Sequence, residues 1–299
     1  MSTVVRRFLL ILKNPLLPVA RAVSLWIALT YDREKLHRLL GTMYCKPARG
    51  KFGSLVFGAV LARWFRTVYL REKDPDVREA LKDVCMAGPG GVGWAEHYDR
   101  MPIVRSRRFD EEFPFFPTVD SVLENAADGA VVIHIGCSSG RETAYFAQRY
   151  PKLSFIGTDI DGPIVSRAER VYQRDNLLYK VARARDILLV TDDVQKLFIL
   201  SHGSLQYVQP EHLEMMFKSL RNCPDATIIV CEPWREDGPS VGRHSRWRGN
   251  FSFSHDYRLY SEQAGLETMS FRTVQTVHDP NSRLFNNRLY ILVSKVPGL

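Results

Sequence analysis

An α/β fold is predicted: a doubly wound, mostly parallel sheet with an antiparallel terminal hairpin, preceded by an α-helical amino-terminal extension. Three observations predict it. Between residues 129 and 231, short apolar runs rich in β-branched residues alternate with segments of helical period, the pattern of parallel strands joined by helical crossovers. Two later runs, 266–273 and 288–295, follow one another as an antiparallel pair would. The first 75 residues differ in composition, with fourteen Lys or Arg against four Asp or Glu, whereas the rest of the chain carries 27 against 29.

The extension comes first. Phe8–Leu12 and Leu16–Tyr31 are apolar but broken by Lys13 and Arg21, and a bilayer span needs about 20 apolar residues. Arg6 and Arg7 precede a short apolar run with no small-residue cleavage site, so no signal peptide is read there. Phe52–Ala62 is almost wholly apolar; Leu61, Trp64, Phe65 and Val68 fall at helical spacing between Lys51 and Arg63, Arg66 and Arg71. Cations beside apolar helices bearing Trp and Phe suit an anionic membrane surface, reached through residues 1–75. A helical subdomain packed on itself and a homodimer interface are the two other readings. The divisions expected are 1–91 as a helical basic and apolar extension, 92–116 as a linker or lid, and 117–299 as the main domain. Within the transition, Glu72–Val84 reads as a helix and Gly88–Trp94 as a flexible hinge or lid. Trp94, His97 and Tyr98 either close over a ligand or lie along a surface strap.

The main domain is organised around residues 129–161. Val131–Ile135 suits a buried parallel strand. Gly136, Ser138, Ser139 and Gly140 make a tight turn of small residues. Glu142–Tyr150 is helical and stops before Pro151. Leu153–Gly157 is a second strand, closed by Thr158 and Asp159. Small residues at a strand's carboxyl end let a ligand approach the backbone, and a carboxylate roughly 20 residues on can accept from both ribose hydroxyls. Serine at the position of the middle glycine argues against a dinucleotide, whose pyrophosphate needs a closer backbone.

HIGCSSGRE followed by FIGTDID resembles the class I S-adenosylmethionine-dependent methyltransferases, which share a Rossmann-like fold, and the resemblance runs over roughly residues 117–297. It implies S-adenosyl-L-methionine as cofactor, with Gly136, Ser138 and Gly140 along its methionine and sugar portion. It also implies Asp159 on the ribose and Ile160 against the adenine, with Glu142 and Ser201 in the same cofactor site. Two positions depart from the pattern. His134 stands where many members carry an acidic residue, and Arg183 where many carry an aspartate near the adenine; Asp186 is the candidate substitute.

Further along, Asp161 is a candidate helix cap with Pro163 near the first turn. Ile164, Ala168, Val171 and Tyr172 form an apolar stripe. Leu177–Val181, Lys196–Leu200 and Thr227–Cys231 are the next strands, and Pro210 opens a helix with Leu213, Met216, Phe217 and Leu220 on one face. Residues 256–265 read as another helix. Ligands of open α/β sheets sit beyond the strands' carboxyl ends. That rule selects His134, residues 201–206, Glu232–Trp234 and the loop 235–257.

Methyl transfer needs an acceptor held in line and, for oxygen, a proton acceptor. His202 is the first candidate base, or else caps its strand; His255 is the second, or else borders the following helix. Glu232 anchors a substrate hydroxyl or caps a loop. Trp234 lies at the same edge. Arg243, Arg246 and Arg248 flank Trp247 in a loop, Gly242–Asn250, that suits an anionic or glycosylated acceptor. The expected function is O-methylation of a sugar, glycan or lipid-linked acceptor. The alternatives are a small-molecule methyltransferase and a non-catalytic cofactor-fold protein acting as a membrane-associated interaction module. A near-neutral main domain argues against nucleic acid as partner. Five cysteines without a CxxC pair point to free thiols in a reducing compartment, hence a cytoplasmic protein, peripheral at the membrane face, with no metal site.

Overall fold

The computed structural model describes residues 67–86, 89–101, 104–105, 107–191, 196–234, 244–249, 251–275 and 288–298. The chain divides into two compact units, Met1–Trp94 and Ala95–Leu299. Most of the extension, and with it the expected apolar helices before residue 67, lies outside the described residues. Among those described, no helix is long and apolar enough to cross a membrane. In the first unit, helix α1 (Pro75–Met86) begins where Asp74 Oδ1 accepts the Asp76 N–H at 2.9 Å, and proline at its first position gives up an N–H that has no helical partner anyway.

The stretch expected as a hinge is helical. Helix α2 (Pro89–Arg100) opens at Pro89 and runs through the glycines. Helix α3 (Arg107–Glu112) also falls within the expected linker. Helix α4 (Phe115–Leu123) follows, with Thr118 Oγ1 donating to the Pro114 carbonyl at 2.6 Å.

The sheet has strands β1 (Val131–Ile135), β2 (Ser154–Asp159), β3 (Leu177–Val181), β4 (Leu197–His202), β5 (Thr227–Trp234), β8 (Glu267–Gln275) and β9 (Arg288–Lys295), in the order β3-β2-β1-β4-β5-β9-β8. The first five are parallel, and β9 is antiparallel to both β5 and β8. Helices α5 (Arg141–Arg149), α6 (Gly162–Val171), α7 (Pro210–Leu220) and α8 (Tyr257–Gln263) lie in the crossovers, and a 3₁₀ segment (Ala184–Val190) lies between β3 and β4. The doubly wound sheet and the antiparallel hairpin are therefore as the sequence predicts. Strand β4 runs two residues beyond the predicted Leu200, so His202 is the last residue of the strand rather than part of a following loop. The loop predicted over Gly242–Asn250 instead contains strand β6 (Ser245–Gly249), paired with β7 (Ser252–His255) in a separate two-stranded sheet. Its alternating Ser245, Trp247 and Gly249 suit a hairpin edge as well as they suit a charged loop.

Strand parity decides which residues meet. One face of the sheet packs Val132, Leu200, Ile229 and Cys231 against Phe115, Phe116, Phe146 and Ala147 of α4 and α5. The opposite face packs Ile133, Ile135, Ile199 and Val230 against Leu213, Met216 and Phe217 of α7 and against Tyr257 and Tyr260. His134 and His202 share the parity of the first face; Ser201 and Glu232 share that of the second.

Candidate active site

The strand order reverses at β1, with β2 on one side and β4 on the other, and a crevice opens there at the carboxyl ends. The turn after β1 is left-handed at three positions, Gly136 (φ +65°), Ser138 (φ +49°) and Gly140 (φ +86°). Serine at φ > 0 is uncommon, and the surrounding bonds hold it there. Cys137 N–H donates to the Thr158 carbonyl at 2.8 Å, Gly140 N–H to the Cys137 carbonyl at 2.9 Å, and Ser138 N–H to Asp159 Oδ2 at 3.2 Å. Tyr179 Oη donates to the Gly140 carbonyl at 3.0 Å, and Ser204 Oγ to that of Gly136 at 3.1 Å. A Cβ at Gly136 would overlap the Ser204 side chain, and one at Gly140 would come within 2.7 Å of Tyr179 Oη.

Asp159 closes this cradle. Its Oδ1 accepts the Asp161 N–H at 3.2 Å, so each oxygen has one backbone donor and acceptor capacity left over. Burial pushes its pKa up to about 6 against the opposing backbone N–H groups of Asp161 and Ser138. Ser138 Oγ is buried without a hydrogen-bond partner. Ile160, next in the chain, is an exposed apolar side chain. An acceptor-rich carboxylate, an orphaned hydroxyl and an apolar shelf at a strand end are the donor set a nucleoside requires, so these residues fit the cofactor implied by the sequence. Asp186 lies in a 3₁₀ turn (Ala184–Val190), half exposed, with Oδ2 at 3.5 Å from Arg185 Nε.

A second cluster stands at the same edge, on the α5 side. Glu142, in the first turn of α5, is buried. Its Oε1 accepts the Tyr98 hydroxyl at 2.6 Å, and its two oxygens lie 3.0 and 3.1 Å from His202 Nδ1. The His202 ring is stacked on Phe115 and tilted against Phe113, each at 4.9 Å between centroids. Burial would raise the Glu142 pKa, but the His202 charge and hydrogen bond, with His134 and Tyr98, outweigh it and hold it down to about 2. Burial would lower His202, and Glu142 more than reverses this, leaving it raised. His134 is buried with Nδ1 at 2.8 Å from Thr143 Oγ1, and burial takes it down to about 4. It is therefore neutral near pH 7, and its 3.9 Å approach to Glu142 Oε2 is no ion pair. The strap that carries Tyr98 and Phe113 is bolted down by Arg167–Asp99 and Arg141–Asp110 ion pairs at 2.8 and 2.7 Å.

Other predicted site residues have different work. Glu232 is fully buried, and its carboxylate accepts Ser201 Oγ (2.7 Å) and the backbone N–H groups of Ser204 (3.0 Å), Leu205 (2.9 Å) and Gln206 (3.2 Å). Of its two predicted roles the loop cap is the observed one, and Ser201 is committed to it; both belong to the sheet face opposite Glu142. Trp234 packs on Tyr290 at 4.9 Å. Arg243 lies outside the described residues. Arg246 is exposed on β6, and Trp247 packs edge-on against Phe253 at 5.2 Å. Arg248 ties this hairpin down, donating to Gln206 Oε1 at 3.1 Å and the Pro233 carbonyl at 3.2 Å. His255 is fully buried in β7, 2.6 Å from Ser245 Oγ, and burial takes its pKa to about 3. So enclosed a ring, one residue before the Asp256 cap of α8, suits the helix-bordering role rather than that of a base. What the sequence did not reveal is the partnership of Glu142 with His202, 60 residues apart; the only local signal was a carboxylate two residues past Gly140.

Fold and turn together define a class I, Rossmann-like nucleoside-binding domain. A family model described as a methyltransferase domain matches residues 132–224, so the stretch from β1 through α7 is similar to methyltransferase domains. Among solved structures, the chain is similar to a TehB-like SAM-dependent methyltransferase from Corynebacterium glutamicum (16% identity, 68% of this chain and 96% of that one, TM-score 0.46). It is similar also to a putative sarcosine dimethylglycine methyltransferase from Galdieria sulphuraria (14%, 66% and 91%, 0.48). A third similarity is to a Haloferax volcanii complex of the Trm112 methyltransferase activator with a putative methyltransferase (19%, 69% and 97%, 0.48). No curated protein matches the chain.

Proposed function

We propose that this protein is an S-adenosylmethionine-dependent methyltransferase that methylates a hydroxyl oxygen, with His202 as the proton acceptor. The carrying observation is that the nucleoside cradle and a solvent-reaching imidazole share one edge of the sheet. His202 Nε2 has no hydrogen-bond partner among the described residues and is not sealed from solvent. When bound, S-adenosyl-L-methionine supplies a methyl group already activated on a sulfonium. Gly136, Ser138, Gly140, Asp159 and Ile160 would hold it. His202 Nε2 would take the proton from the acceptor hydroxyl as that oxygen bonds to the methyl carbon and the carbon–sulfur bond breaks, leaving neutral S-adenosylhomocysteine, and would then release the proton to water. On the acceptor side, exposed Arg246 and neighbouring Trp247 support a sugar, glycan or other hydroxylated acceptor with an anionic group. Calorimetric titration of S-adenosylhomocysteine into wild type and Asp159→Ala tests the cofactor half. Binding in the micromolar range, about −8 kcal/mol, lost in the variant, is expected; no binding to folded wild type would sink the reading.

The basic excess over residues 1–75 supports a second reading, that the acceptor is met at an anionic membrane surface. Flotation of the full chain with anionic vesicles, against a chain beginning near residue 92, tests it: loss of flotation on truncation is expected, and no flotation of the full chain rejects it.

A further inference from the structure

We infer that Glu142 and Tyr98 form a positioning relay that fixes the tautomer and orientation of His202, so that Nε2 is the nitrogen presented to the acceptor. The inference rests on the reading of His202 as the base and adds to it the residues through which that base is set. The geometry carries it. An ionised carboxylate only accepts hydrogen bonds, and His202 Nδ1 lies 3.0 and 3.1 Å from its two oxygens. Nδ1 must therefore carry a hydrogen in the neutral ring as well as in the charged one, which leaves the neutral lone pair on Nε2. Phe115 stacks on the ring and Phe113 tilts against it, which restricts its rotation. Glu142 is held in turn: Tyr98 donates to Oε1 at 2.6 Å. Tyr98 stands on α2, whose Asp99 is paired with Arg167.

The charged and titratable groups around His202 come from several elements. Glu142 is on α5, His134 on β1 and Glu232 on β5, and each acts electrostatically on the ring or feels it. Arg141 and Asp110 act at one remove, on Tyr98 and Glu142. Of these only Glu142 touches the imidazole through a hydrogen bond.

The test is ¹⁵N NMR of the full chain labelled at its eight histidines, with His202→Gln identifying the resonance, alongside pH–rate profiles. In wild type the His202 midpoint is expected above 6.5, with the neutral ring in the Nδ1–H form. In Glu142→Gln the midpoint should fall by about one pH unit or more, tenfold in proton affinity, and the tautomer preference should be lost. The acid limb of kcat should move down with it while KM stays level. An unchanged midpoint and tautomer in Glu142→Gln overturns the relay whatever happens to turnover. If His202 responds but His202→Ala keeps full turnover, the base reading fails while the coupling stands. Should Glu142→Gln not fold, Tyr98→Phe replaces it: freeing Oε1 strengthens it as an acceptor for Nδ1–H, so the midpoint must rise, and no rise overturns the relay.

Discussion

The backbone N–H of Ser138 donates to Asp159 Oδ2 at 3.2 Å, joining the turn after β1 to the end of β2. Asp159 is held at about 6, well above its ordinary value, because burial, with the neighbouring Asp161 charge, outweighs the backbone N–H groups of Asp161, Ser138 and Ile160. A raised carboxyl pKa favours the folded state below the unfolded value near 3.8, and that contribution is lost as pH rises through about 6. The ionised carboxylate is thus under-solvated in the free protein, and ribose hydroxyls would relieve it. We expect S-adenosylhomocysteine affinity to be level above pH 7 and to fall by up to about tenfold per pH unit below 6. Calorimetry from pH 5 to 8 checks this, and Asp159→Asn should abolish the dependence.

Gly136 and Ser204 pack directly against each other, and Ser204 Oγ donates to the Gly136 carbonyl. Gly136→Ala must hold an L residue at φ +65° and place Cβ on the Ser204 side chain. Left-handed strain and overpacking are each worth about 1–3 kcal/mol, so a loss of roughly 2–6 kcal/mol in urea denaturation is expected. Adding Ser204→Gly should recover the steric share and leave the backbone share, giving a coupling energy in a double-mutant cycle. Additive losses would show that the two residues do not define the turn together.

Much of this arrangement was legible from local pattern. The five parallel strands follow from β-branched runs between helical segments, and Gly136, Ser138, Gly140 and Asp159 from their spacing around one crossover. The strand predicted over Lys196–Leu200 stopped short of His202, so the parity that puts Leu200 and His202 on one face and Ser201 on the other came only with the fold. Long-range pairings were not legible. Nothing in the sequence separates Glu142, which meets His202 60 residues away, from an ordinary first-turn acid favoured by the helix dipole. Glu232, just past a predicted strand at the ligand edge, left substrate anchor and loop cap both open, and only the inward turn of residues 204–206 shows its carboxylate occupied. Gly88–Trp94 misled because glycines suggest a hinge, whereas Pro89 at a first helical position starts α2.

Glu232 should behave as a structural cap. Glu232→Ala leaves three backbone N–H groups and the Ser201 hydroxyl without their acceptor in a buried setting. At about 1–3 kcal/mol for each unsatisfied buried donor, a loss of at least about 3 kcal/mol is expected from denaturant midpoints. Glu232→Gln keeps one acceptor oxygen and should lose about half as much. A Glu232→Ala protein of near wild-type stability with raised KM would instead return Glu232 to the substrate.

The two candidate histidines should separate cleanly. His202 reaches solvent at Nε2 and has a carboxylate behind it; His255 is enclosed and bonded to Ser245, whose hydroxyl also lies 2.7 Å from Tyr260 Oη. Removing a general base costs roughly 10²–10⁴ in rate, so His202→Ala should lose that much kcat, and it should also lower the melting temperature because buried Glu142 loses its partner. His255→Ala should lose stability alone. Its folded pKa of about 3 lies below the unfolded value near 6.5, so the neutral ring contributes stability above pH 6.5 that is lost as pH falls toward 3. His255→Ala should therefore flatten the acid side of the stability curve, lower stability near pH 7 by about 2–4 kcal/mol through the cavity it leaves, and spare kcat at saturating acceptor. Equal losses of kcat in both variants would contradict this division of roles.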